Sequence, residues 1–353
     1  MTLRIDSPSK SDALRFLREA KAPIVFTGML ESWDREKNWI PQRLADVFAK
    51  RPIRFRIIPK TASKSNSVLW ETQCRHIEAT IEEFLAWNSN EKRSKKPKTD
   101  TGLWTFNPTD YTAYADYKYM KDTFSTYPNL MASVDWTKFG LDEKSSRRES
   151  VFWMGGEGAH TPCHYDTYGF NLVAQLSGRK RWTLFSPEQS RYLYPTRVPY
   201  EESSVFSRVN VGCPDLGRFS MFSHAHPVEI VLEPGEVLFV PKHWWHYVEC
   251  LDLSVSVNVW TPMDSDDADR LTESITRTVI FAIQSRINNQ KDSSWMCPSE
   301  SFSDFDANLS LLSRAYAHLT NIDDFQVSSE TLLEALLHPE VVQLVARKLS
   351  AGK

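Results

Sequence analysis

Residues 151–260 constrain the fold more than any other part of the chain. They break into short runs of β-branched, aromatic and aliphatic residues at 151–154, 170–176, 181–185, 228–232, 237–240, 246–250 and 253–260. Turn formers separate these runs: Gly155-Gly156, Ser177-Gly178, Pro187, Pro234-Gly235 and Pro241. Many short strands with Gly/Pro turns predict a sandwich, barrel or jelly roll.

The flanking regions read differently. Residues 11–20 predict a short helix, 23–26 a strand stopped by Gly28, and 41–48 a helix with Leu44 and Val47 on one side. Residues 54–58 alternate like a strand, and 78–87 have helical period with Ile81, Phe84 and Leu85 on one face. After Pro262 the pattern turns helical. Leu271, Ile275, Val279, Ile283 and Ile287 form one apolar stripe, Leu309, Leu312, Tyr316 and Leu319 a second, and Leu332, Leu333, Leu336 and Leu337 a third. Pro339 suits the first turn of a last helix through 349, and 288–306 reads as a loop. The chain thus divides into N-terminal α/β elements (1–150), a β core (151–262) and a helical region (263–353).

Composition narrows the class. The chain has 353 residues, 41 % hydrophobic and 25 % charged, which is a globular balance. A net charge of −3 gives no bulk attraction to nucleic acid or anionic membrane. No apolar run approaches the roughly 20 residues of a membrane helix, and no signal peptide is read at the start. Residues 89–98 hold no apolar side chain. They predict a solvated loop, with a targeting or nucleic-acid patch as the alternative. The five cysteines are scattered without a CxxC pair, which argues against a disulfide scaffold or structural zinc. A cytoplasmic location is expected, with the nucleus as a second.

The chemistry-bearing string is Thr161-Pro162-Cys163-His164-Tyr165-Asp166. Residues i and i+2 of a strand share a face, so His164 and Asp166 can enter a barrel interior together. A third ligand has to come from a distant strand. His246, 80 residues beyond Asp166, qualifies, and His243 competes with it; His160, His224 and His226 stand in loop-like stretches. Two histidines and one carboxylate on one face of a metal suit Fe(II) with open positions opposite; without thiolates, zinc is less favoured. Cys163 and Cys250 flank the ligands as redox sensors or as small core fillers, and filler is the favoured reading.

Residues 155–187 resemble the JmjC family of 2-oxoglutarate oxygenases, especially its asparaginyl-hydroxylase-like branch. Pro241-Lys242-His243-Trp244-Trp245-His246 is similar to that branch's distal-histidine segment, which selects His246 over His243. Further motifs match a group named for contact with a small heat-shock protein. These are Ala113-Tyr114-Ala115-Asp116-Tyr117-Lys118-Tyr119, Gly158-Ala159-His160-Thr161-Pro162-Cys163-His164, Leu193-Tyr194-Pro195-Thr196-Arg197 and the run from Pro199 to Ser207. The likeness spans residues 20–285.

The resemblance implies a mainly β fold, a double-stranded β-helix of the JmjC/cupin jelly-roll type with N-terminal α/β elements and a C-terminal helical extension. It implies Fe(II) on His164, Asp166 and His246, with 2-oxoglutarate and O2 as cosubstrates. Lys180, Thr161 and Tyr114 would hold the 2-oxoglutarate carboxylate, and Asn171 and Asn258 would form a polar pair beside the metal. Trp182, on the strand face of Lys180, would wall the pocket. The implied activity is hydroxylation of a protein or peptide substrate. Alternatives are N-methyl demethylation, RNA hydroxylation, or a non-catalytic module binding a small heat-shock protein. The C-terminal helices pack only on each other and the barrel, or join a second copy into a homodimer as in the related branch.

Overall fold

The computed structural model describes residues 2–89, 102–287, 294–322 and 325–351. Most of the charged loop predicted at 89–98 and the first part of the loop at 288–306 lie outside the described residues. The N-terminal part contributes β1 (Leu3–Asp6), β2 (Ile24–Thr27), β3 (Ile53–Pro59), β4 (Arg75–Ala79) and β5 (Tyr111–Tyr119). Ten strands follow: β6 (Val151–Gly155), β7 (His160–Asp166), β8 (Phe170–Ser177), β9 (Lys180–Phe185), β10 (Pro195–Glu201), β11 (Ser204–Ser207), β12 (Val228–Leu232), β13 (Val237–Pro241), β14 (Trp245–Cys250) and β15 (Ser254–Thr261).

One sheet has the order β1-β2-β13-β8-β15-β6-β5-β3-β4, the other β10-β11-β7-β14-β9-β12. The strands β6 to β9, and again β12 to β15, alternate between the two sheets. That alternation winds the chain as a double-stranded β-helix, the jelly roll of a cupin-like domain. N-terminal strands extend the larger sheet at both edges: β2 pairs with β13, and β5 with β6. Residues 1–263 with 296–299 form one compact unit, and 264–295 with 300–353 a second.

The larger core cluster lies where N-terminal elements pack on the large sheet, with Trp33, Trp39, Trp87 and Trp136 fully buried in it. Each of these indoles finds an acceptor: Asp135 O at 2.9 Å, Ser133 Oγ at 3.0 Å, Phe106 O at 2.8 Å and Ser150 Oγ at 2.9 Å, respectively. A buried indole keeps its apolar area and loses nothing when its single donor is satisfied.

Two predicted elements are corrected. The helix read over 78–87 begins only at Ile81 (Ile81–Asn88), because Glu78 and Ala79 belong to β4. Thr80 Oγ1 accepts from Glu83 N at 3.1 Å and Glu83 Oε2 from Thr80 N at 2.9 Å, a capping box that fixes the boundary. In the second unit, the helix Asp267–Ile287 uses only the first part of its apolar stripe: Leu271 and Ile275 are partly buried against Leu312, Val327 and Leu332. Its fully buried residues are Glu273, Ser274, Arg277, Thr278 and Phe281, whereas Ile283 and Ile287 are exposed. Arg277 lies on the buried face. Its guanidinium donates to Asn308 Oδ1 at 2.9 Å and to Ser303 Oγ at 3.1 Å and pairs with Glu300 at 3.2 Å, so it is held inside the unit. The helices Phe305–Thr320 and Ser329–Leu336 bury Leu312 and Leu332 but leave Leu333, and Leu337 just past the second helix, exposed. The last helix starts at Pro339, as predicted. Among the described residues, no helix is long and apolar enough to cross a membrane.

Candidate metal centre

The sheet register brings the three predicted ligands together. His246 on β14 pairs directly with His164 on β7, and Asp166 follows two residues along the same face. One ligand atom from each lies within 4.8 Å of the others, and the two imidazole centroids are 4.2 Å apart. All three side chains are buried.

The hydrogen bonds around the imidazoles set their tautomers. His164 Nδ1 lies 2.9 Å from Pro162 O, and His246 Nδ1 2.9 Å from Trp244 O. A carbonyl only accepts, so each Nδ1 carries the proton and each Nε2 presents its lone pair. Burial pushes both imidazoles down to about 4, the neutral form that a metal requires. Burial also pushes the Asp166 carboxyl up, partly offset by His164 and by Trp260, whose Nε1 donates to Asp166 Oδ2 at 3.0 Å. Three convergent donors, two imidazole nitrogens and a carboxylate in a buried setting, fit a divalent metal.

The competing histidines stand apart. His243 has φ 68° and its Nε2 lies 2.8 Å from Thr167 O, outside the triad. His160 Nδ1 lies 3.0 Å from Gly158 O, and His224 and His226 are exposed. Cys163 and Cys250 are free but buried, and burial pushes both thiols up, which suits core filler.

A second group lines the same cavity, which is walled from both sheets. Lys180 Nζ donates to Tyr114 OH at 3.2 Å and to Ser256 Oγ at 2.7 Å. The ammonium is buried, its pKa lowered by desolvation, and among the described residues no carboxylate pairs with it. An ammonium held only by hydroxyls is costly in a dry interior and is stabilised by an incoming carboxylate. Thr161 reaches this group through a register shift. His246 pairs with His164 but Val248 with Thr161, so an extra residue of β7 turns Thr161 onto the cavity face. Strict alternation would have placed it opposite.

Asn171 and Asn258 meet as expected: Asn258 Nδ2 donates to Asn171 Oδ1 at 2.9 Å, and Trp153 Nε1 donates to Asn258 Oδ1 at 2.7 Å. Sequence reasoning missed Ser256, Trp260 and Trp153. The first two share the face of Asn258 on β15 at a spacing of two, so strand parity from Asn258 would have found them.

The fold and this cavity define a cupin-like protein with a JmjC-type arrangement, and the chain belongs to that family: the model of the Cupin-like domain matches residues 10–267. The chain is 43 % identical over 289 residues to HSPB1-associated protein 1 of Homo sapiens, covering 82 % of this chain and 57 % of that protein. It is 41 % identical over 327 residues to the HSPB1-associated protein 1 homolog of Danio rerio, covering 92 % and 71 %. Lysine-specific demethylase 8 of Xenopus tropicalis is more distant, 28 % identical over 243 residues, covering 67 % and 47 %. The chain therefore spans little more than half the length of the human relative.

Proposed function

We propose that the chain is an Fe(II)- and 2-oxoglutarate-dependent oxygenase that hydroxylates a protein or peptide. The observation that carries this is the pairing, in one buried cavity, of the His164–Asp166–His246 triad with the carboxylate-free ammonium of Lys180. When bound, iron, 2-oxoglutarate and O2 supply the oxidising power that puts one oxygen atom on a substrate C–H and leaves succinate and CO2. The chain's own residues bind and orient. His164, Asp166 and His246 hold the metal, while Lys180, Thr161 and Tyr114 hold the distal carboxylate. The Asn171–Asn258 pair keeps polar groups fixed beside the metal. The buried walls exclude water.

The test is 2-oxoglutarate turnover by the purified, iron-loaded chain, with succinate measured directly. Turnover that disappears in Asp166→Ala supports the reading. No turnover above that variant, alone or with candidate peptides, leaves the cavity as a scaffold. A peptide screen for a gain of one oxygen separates hydroxylation from N-methyl demethylation, which would release formaldehyde, and the same screen on RNA covers that alternative.

The relatives' name, HSPB1-associated protein 1, supports a small heat-shock protein as a partner of this chain, in the non-catalytic version as its main role. The net charge supports no nucleic-acid or membrane partner. A homodimer through the C-terminal helices draws its support from the exposed Leu333, Leu337, Val345 and Leu349; light scattering at micromolar concentration decides it. Residence in the cytoplasm, with a second pool in the nucleus, belongs to the same reading.

A further inference from the structure

Outside the cavity, a surface groove collects two arginines that the chain itself does not use. Val68, Trp70, Thr196, Val198, Arg208 and Arg218 line it. Both arginines are exposed, and among the described residues neither guanidinium meets a carboxylate or another hydrogen-bond acceptor. The Arg218 guanidinium lies over the Phe219 ring at 5.1 Å, and the nearby Asp215 accepts from Arg218 N at 3.1 Å rather than from its side chain. Exposed arginines at the far side of the smaller sheet behave otherwise: Arg181 pairs with Glu249 at 3.7 Å and Arg179 with Asp252 at 2.7 Å. Val68, Val198 and the half-buried Trp70 give the groove an apolar side. Free guanidiniums beside an apolar surface are complementary to a chain that carries carboxylates and an apolar side chain.

The strand ladder says what this groove adjoins. Thr196 on β10 pairs with Phe206 on β11, Phe206 with His164 on β7, and His164 with His246 on β14. Directly paired residues of an antiparallel sheet share a face, so one row of side chains runs from the groove to the two imidazoles. Rings continue the row outward. The Phe206 and His164 rings lie 5.7 Å apart, and Trp70 meets Phe206 edge-on at 5.7 Å. Two inter-strand steps separate Thr196 from His164 by about 10 Å, the reach of about three extended residues.

We propose that this groove docks an acidic stretch of a polypeptide substrate, with Arg208 and Arg218 donating to its carboxylates and Trp70 packing on an apolar side chain beside them. This names the substrate class for the oxygenase reading above and rests on it. The residue presented to the metal then stands about three positions from the acidic one. Two guanidiniums and one ring make a short track for a nucleic acid, and a net charge of −3 gives no wider basic field.

The probe is a fluorescein-labelled peptide of glutamate, glycine and leucine, compared with the same peptide carrying glutamine for glutamate and with a labelled single-stranded oligonucleotide. Fluorescence polarisation on the full chain loaded with Mn(II) gives the affinities in wild type, in the double variant Arg208→Gln/Arg218→Gln, and in Arg43→Gln/Arg148→Gln, which removes two exposed arginines outside the groove. The acidic peptide is expected to bind more tightly than the glutamine peptide and to weaken with salt. Its affinity should fall at least about tenfold in the groove variant and little in the other. Position is read from the peptide's proton resonances, which should broaden with paramagnetic Mn(II) in the triad and not with Zn(II). Equal affinity of the two peptides, or an equal loss in both double variants, overturns the proposal. So does tighter binding of the oligonucleotide, or peptide signals that broaden no more with Mn(II) than with Zn(II). The oxygenase reading fails separately: binding of the acidic peptide without 2-oxoglutarate turnover keeps the groove as a docking site and removes its role in presenting a substrate. Should the chain take up no Mn(II), the polarisation measurements still decide the groove.

Discussion

Trp260 Nε1 donates to Asp166 Oδ2 at 3.0 Å, which commits one oxygen of the only carboxylate in the triad. The other oxygen, Oδ1, is the one that faces His164, 3.9 Å from its Nε2. The indole thus orients the carboxylate and favours its charged form. Trp260→Phe is expected to weaken metal binding by about tenfold to a hundredfold, the usual effect of removing a partner behind a ligand. Titration with Mn(II) measures it, and His164→Ala and Asp166→Ala should abolish uptake by elemental analysis. Full metal occupancy in the double variant would remove the site.

Lys180→Ala should weaken 2-oxoglutarate binding while leaving metal affinity close to wild type, because Nζ contacts the hydroxyls of Tyr114 and Ser256 and none of the triad. Loss of a charged partner in a buried site corresponds to roughly 2 kcal/mol or more. Calorimetry on metal-loaded protein reads both affinities. Equal cosubstrate affinity in the variant would return Lys180 to a structural role.

His160 carries a pH signature of its own. Burial pushes its imidazole from 6.5 down to about 4, against a smaller upward pull from Gly158 O. The unfolded chain therefore binds the proton first as pH falls. The stabilising contribution is complete above about 6.5 and is lost as pH drops from there through 4, on the order of 3 kcal/mol in total. His160→Gln should flatten the difference between urea stabilities at pH 7 and pH 4.5. A slope identical to wild type would mean that this imidazole titrates normally.

Arg56 is buried to 1 % exposure, and its guanidinium meets Asp116 Oδ2 at 2.5 Å, Glu71 Oε1 at 3.3 Å and His160 O at 3.1 Å. It ties β3, on the large sheet, to β7, which carries His164 and Asp166. Arg56→Met leaves two buried carboxylates without their cation and should cost about 3–5 kcal/mol. The shift of the urea midpoint measures it. A change below about 1 kcal/mol would show that the cluster is readily rehydrated.

The barrel and the triad were legible because both rest on period two. His164 and Asp166 share a face whatever surrounds them, and the Gly/Pro turns mark where strands end. Thr161 was reached only through family likeness, since an irregular register defeats parity and no residue type announces it. Arg56 reads as one charge in an alternating strand; its burial depends on Asp116 and Glu71, which are 60 and 15 residues away. In the helix 267–287 the stripe was legible at its start, where Leu271 and Ile275 pack on Leu312 and Leu332, and not at its end, where Ile283 and Ile287 are exposed. The burial of Arg277 depends on Glu300, Ser303 and Asn308, which no local pattern announces.

The larger sheet also bears on how this protein can be divided. β13 and β6, the flanks of the core portion of that sheet, are hydrogen-bonded to β2 and β5 from the first 120 residues. Excising 151–262 as a minimal fragment would expose two raw strand edges together with the apolar surface that Trp33, Trp39 and Trp136 cover. Such edges pair with other chains, so the fragment should aggregate. It would also lack Tyr114, which projects into the cavity from β5. A piece that keeps this sheet intact therefore needs β2 and β5 as well, and internal truncations of this protein should read as loss of folding.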